Sequence, residues 1–162
     1  MIGQDPAPAH AADRPPEYPR AGPLLAVDSG ARRIGLALSD VSQLLAHPLT
    51  TLTRRAGKRF PMRQLLALLD AHGVAGVVVG LPLAPDGSEA AAAAAARRLA
   101  AEIARRTARP VVLHDERLTT ARALRAVREM GGHTRGRKAD VDALAATLLL
   151  QHYLDVRRGS AV

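Results

Sequence analysis

The chain contains no cysteine, which excludes disulfides, thiolate zinc sites and cysteine nucleophiles. It has no tryptophan and only three other aromatic residues, Tyr18, Phe60 and Tyr153. Proteins that stack single-stranded bases on exposed rings need more, so an RRM-like or OB-like platform is not expected. No uninterrupted apolar run is long enough for a membrane helix, because the alanines from Ala90 to Ala96 end in Arg97 and Arg98. Lysine is nearly missing too. Only Lys58 and Lys138 are present among 23 basic residues, against 15 acidic ones, for a net charge of +8. Arginine therefore carries the excess, and such a balance favours a polyanionic partner, of which nucleic acid is the commonest.

What is present fits one domain. The 162 residues bury a sizeable core without staples. Residues 1–22 are rich in Pro and Ala and lack the apolar segment of a signal peptide,. They are expected to form a disordered tail ahead of a domain at 23–158, in a protein of the cytoplasm with no membrane partner.

Leu24 to Asp28 alternates as a strand, and Ile34 to Leu38 follows after a connection so short that the two pair antiparallel,. Leu44 to Leu52 reads as a third strand, which Pro48 confines to an edge,. Leucines at helical spacing between Pro61 and His72 predict a helix ended by Gly73,. Val77, Val78 and Val79 mark a strand covered on both faces within Val74 to Leu81,. A helix capped by Ser88 is expected to run to about Thr107, then a strand from Val111 to about Glu116,. Helices from Thr119 to Met130 and from about Asp140 to Val156 close the chain, separated by a basic loop from His133 to Lys138,. Right-handed crossovers then give an α/β fold with a mixed five-stranded sheet in the order 3-2-1-4-5 and helices on its faces.

In such a sheet, sites form at the carboxyl ends of the parallel strands. Asp28 ends the first strand, Asp115 and Glu116 end the fifth, and Asp142 is expected in the first turn of the last helix. Facing carboxylates repel unless a cation lies between them, and Mg²⁺ and Mn²⁺ prefer such oxygen ligands. A site of that kind suits phosphodiester cleavage. Each residue also has a plainer reading: a turn for Asp28, an ion pair for Asp115 to Arg117, the helix dipole for Asp142. His114 alternates to the face opposite Asp115 and is expected to be structural.

Four stretches resemble a known family. Residues 28–40 (DSGARRIGLALSD), 79–88 (VGLPLAPDGS), 114–120 (HDERLTT) and the segment from Lys138 through Asp142 to Ala146 are similar, in order, to the motifs of the YqgF family, also called RuvX. Ser29 stands where that family usually has an aromatic, and Ala84-Pro85 replaces the usual Asn-Met. The resemblance implies a ribonuclease H-like fold and a Mg²⁺- or Mn²⁺-dependent nuclease. Its catalytic and metal-holding residues would be Asp28, Glu116 and Asp142, with Asp115 as a further metal ligand. It implies as substrate structured RNA, in maturing the 5′ end of the small-subunit ribosomal RNA precursor, or branched DNA, or both. Arg32, Arg33, Arg117, Arg135, Arg137 and Lys138 are the candidate nucleic-acid contacts; Arg33 has a second reading, as the ion-pair partner of Asp40. A non-catalytic RNA-binding ribosome-assembly factor on the same fold is the alternative function, and an actin-like or sugar-kinase ATPase a third. A homodimer suits symmetric junction cutting, a monomer RNA trimming.

Overall fold

Three strands in series open the fold in the computed structural model, which describes residues 18–54, 59–83, 91–116 and 138–159. These are β1 (Leu24–Ser29), β2 (Arg33–Ser39) and β3 (Ala46–Thr53), followed by α1 (Met62–Ala71), β4 (Gly76–Leu81), α2 (Ala91–Thr107), β5 (Val111–Asp115) and α3 (Lys138–Gly159). The strands form one sheet in the order β3-β2-β1-β4-β5. β1 pairs antiparallel with β2, and β2 with β3. β4 lies parallel to β1 on its other side, and β5 parallel to β4. This is the strand order expected from the sequence, and the ribonuclease H-like arrangement that the family resemblance implies. The expected helix at Thr119–Met130 and the basic loop lie outside the described residues, except that Lys138 already opens α3.

The pleat sorts the core into two layers. Leu25, Val27, Ile34, Leu36, Val77 and Val79 face α1 and α2, where Leu65, Leu69, Leu99 and Ile103 cover them. Leu24, Ala26, Ala37 and Val78 face Ala146, Leu149, Leu150 and Leu154 of α3. β4 is buried along its whole length, as its valine run requires when both faces are covered. β3 is an edge strand, as Pro48 demands, and its pairing with β2 shifts by one residue between Leu36 and Ala37.

Tyr18 to Gly22, expected in the tail, pack against the domain. Arg157 donates from Nη1 to the Pro19 carbonyl at 2.7 Å and from Nη2 to the Tyr18 carbonyl at 2.8 Å. The Tyr18 ring sits edge-on to Tyr153, with centroids 5.8 Å apart, and burial pushes its hydroxyl pKa far upward. At the start of β1, the Leu24 N–H donates to the buried Ser39 Oγ at 2.9 Å, and Ser39 in turn donates to the Asp40 carbonyl. Ser39→Ala deprives that buried N–H of its acceptor, and we expect a loss of about 1–3 kcal/mol, read as a lower urea midpoint with an unchanged slope.

Candidate functional site

Alternation along β1 turns Leu24, Ala26 and Asp28 to the α3 face,. Asp28 is 2% exposed, an unusual place for a carboxylate unless something compensates its charge. On one side its cross-strand partner is Gly35 of β2. On the other, the parallel register that pairs Val27 with Val79 brings Gly80 of β4 level with it. Asp28 thus lies between two glycines, and both have an acidic residue seated on them.

A Cβ on Gly35 would overlap the backbone carbonyl of Asp142 and come within 3.2 Å of the Ala143 nitrogen. The lack of a side chain at Gly35 is what lets α3 descend onto β2 here. A Cβ on Gly80 would overlap Oε1 of Glu116 and lie 3.0 Å from Cδ2 of Leu149. Glu116 follows β5 directly, and its N–H donates to the Leu81 carbonyl at 3.2 Å, which folds its carboxylate back over Gly80. Glu116 and Asp142 are 2% and 0% exposed. The fold therefore gathers Asp28, Glu116 and Asp142 on one face of the sheet, beside a single cross-strand row.

Among the described residues, no group of three or more His, Asp or Glu side chains is close enough to hold a metal ion. At Asp142, Oδ2 accepts a hydrogen bond from Arg33 Nε at 2.7 Å. Arg33 starts β2 and shares its α3-side face with Gly35 and Ala37. The alternative reading of Arg33, as the ion-pair partner of Asp40, does not hold. Asp40 instead accepts the Leu44 and Leu45 N–H groups at 2.7 and 3.0 Å, which hold its carboxyl below the usual carboxylate range.

Asp142 is the fifth residue of α3 rather than a first-turn residue, because the helix begins at Lys138. Asp115 pairs in register with Leu81, so the pleat turns it to the α1–α2 face, away from Asp28. His114 sits level with Gly80 on the α3 face. Its Nε2 lies 2.7 Å from Nδ1 of His152, and its ring is edge-on to Tyr153 at 5.4 Å. Burial and the neighbouring His152 lower its pKa, against a smaller upward pull from Asp115. Its partner His152 on α3 had no signal in the sequence.

Arg32 is exposed at the β1–β2 turn, where its carbonyl accepts the Arg54 N–H at 2.8 Å. Arg54 is a residue that sequence reasoning missed. It donates from Nη2 to Ser29 Oγ at 3.0 Å and lies 5.6 Å over the Phe60 ring. Ser29 makes that contact at the position where the resembling family usually carries an aromatic. Arg117, Arg135 and Arg137 lie outside the described residues, and so does the side chain of Lys138.

A family model described as "RuvX: Holliday junction resolvase" matches residues 22–156. A protein of Chloroflexus aurantiacus named "Putative pre-16S rRNA nuclease" is 39% identical over 137 residues, 85% of this chain and 89% of its own length. One of the same name from Mycolicibacterium smegmatis is 41% identical over 158 residues, 91% of this chain and 92% of its own. Among solved structures, Thermus thermophilus RuvC in complex with a Holliday junction substrate is 18% identical, with a TM-score of 0.48, covering 85% of this chain and 96% of RuvC.

Proposed function

The chain belongs to the RuvX family, and from that premise we propose that it is a divalent-metal-dependent nuclease of the cytoplasm. It hydrolyses phosphodiester bonds in structured RNA, with the 5′ extension of the small-subunit ribosomal RNA precursor as first substrate and branched DNA as second. The observation that carries the proposal is the row Gly35–Asp28–Gly80, with Asp142 and Glu116 seated on its two glycines.

The donor chemistry fits the metal. Three carboxylates supply the hard oxygen ligands that Mg²⁺ and Mn²⁺ prefer, and their burial leaves a cation little competition from bulk water. When bound, the ion supplies Lewis acidity toward the phosphodiester and lowers the pKa of a water. Asp28, at the centre of the row, would anchor it, with Glu116 and Asp142 as its further oxygen ligands. Asp115 has no part in this proposal, since its register faces it elsewhere. Arg32, at the same end of the sheet, steadies the substrate backbone as a cation with a planar fork of donors. Lys138 and the arginines of the preceding segment extend that contact.

The test is cleavage by purified protein of an extended ribosomal RNA precursor and a four-way DNA junction in parallel, each with Mn²⁺, with Mg²⁺ and with chelator. We expect metal-dependent cleavage, lost in chelator, with the RNA preferred. Preference for the junction by a dimer would reassign the substrate. Binding without cleavage under either metal would favour the assembly-factor alternative.

A further inference from the structure

Asp142 is fully buried, and an ionised carboxylate taken out of water needs a counter-charge. Arg33 meets it with a single hydrogen bond, from Nε to Oδ2 at 2.7 Å. Guanidinium groups that hold a carboxylate tightly do so with two parallel bonds from their planar fork. Here, among the described residues, the terminal nitrogens of Arg33 make no hydrogen bond, and 28% of its side chain is exposed. The carboxylate is sunk and the guanidinium stands at the mouth. The backbone beneath it is fixed, because the Gly30 N–H donates to the Arg33 carbonyl at 2.9 Å and closes the turn. Re-aiming Arg33 therefore needs only side-chain rotation.

We propose that Arg33 and the divalent cation are alternative counter-ions of Asp142. The guanidinium neutralises the carboxylate while no metal is bound, and yields it when the cation enters, because two positive charges cannot both crowd one buried carboxylate at low cost. Released, the guanidinium turns outward at the start of β2 and pairs with a phosphate of the substrate. Arg33 is thus a positioning residue that sets metal affinity, and it couples metal loading to substrate capture. The inference rests on the nuclease reading for the identity of the cation. It differs from the view that Arg33 only orients Asp142 as a supporting partner, whose loss weakens metal binding by about 10–100-fold.

The two views predict opposite signs for metal affinity without nucleic acid. Mn²⁺ alone is titrated calorimetrically into the full chain and into Arg33→Gln, Arg33→Lys and Asp142→Asn. Competition predicts that Arg33→Gln binds Mn²⁺ more tightly, on the order of tenfold. Arg33→Lys, a more strongly hydrated and less well matched cation, falls between it and the unaltered protein, and carries the test alone if the glutamine variant does not fold. In chelator, Arg33→Gln melts below the unaltered protein, and Mn²⁺ recovers more of its melting temperature, since tighter binding stabilises more. Equal or weaker Mn²⁺ binding by Arg33→Gln or Arg33→Lys overturns the inference and leaves the nuclease reading standing. No Mn²⁺ binding by any of the proteins, the unaltered chain included, overturns both.

Discussion

Replacing Asp28 with asparagine is expected to lower kcat by at least about a thousandfold, the scale seen when one member of a catalytic unit is removed. The substitution keeps the shape of the side chain and removes its charge and one acceptor lobe. Asp28 is the carboxylate that both neighbouring strands bracket, so neither Glu116 nor Asp142 can take its place from its own side of the row. The fold should not suffer. Asparagine fills the same volume at this buried position, and the far-ultraviolet circular dichroism of Asp28→Asn in chelator should match that of the unaltered protein. Nucleic-acid binding measured by filter retention should persist, because phosphate contacts come from the basic residues. Cleavage within tenfold of the unaltered enzyme would falsify the central role given to this residue.

The second large effect concerns the two glycines, which should fail in different ways. At Gly35 the obstacle to a methyl group is backbone, the Asp142 carbonyl, and backbone moves only if α3 moves. Gly35→Ala should cost roughly 1–3 kcal/mol, as overpacking does, and lower kcat/KM by about a hundredfold through misplacement of Asp142. At Gly80 the obstacle is the end of the Glu116 side chain, with Leu149 at 3.0 Å behind it. Side chains can rotate away. Gly80→Ala should therefore lose comparable activity with a smaller loss of stability. Urea unfolding and single-turnover cleavage on both variants separate the cases. Two equal stability losses would mean that Glu116 is as rigidly held as the helix backbone.

Much of this was legible in the residues. Alternation marked β1, the valine run marked β4 as central, and Pro48 marked β3 as an edge, because each of these signals reports a local constraint. The three buried carboxylates were also legible as strand-end and helix-start acids. What the chain did not disclose were pairings made across it. Arg33 was assigned Asp40 as a candidate partner because they are near in sequence, yet β2 holds them at its two ends. A strand rises about 3.3 Å per residue, so they stand roughly 20 Å apart. The actual partner, Asp142, is 109 residues away and is delivered by the approach of α3 over Gly35. His152 as partner of His114, and Ser29 as acceptor for Arg54, escaped for the same reason. The placement of Asp142 within α3 shifted because helix formation begins at Lys138, before the aspartate expected to open it.

Among the described residues β3 is the last strand on its side of the sheet, and an edge strand of eight residues is a ready template for another extended chain in a crowded cell. Pro48 interrupts that row with a residue that has no N–H to offer, and the register shift beside it bends the strand out of plane,. A newcomer strand meets a gap and a kink where it needs a flat, regular template. The same proline that marks β3 as an edge thereby makes that edge a poor template for sheet extension.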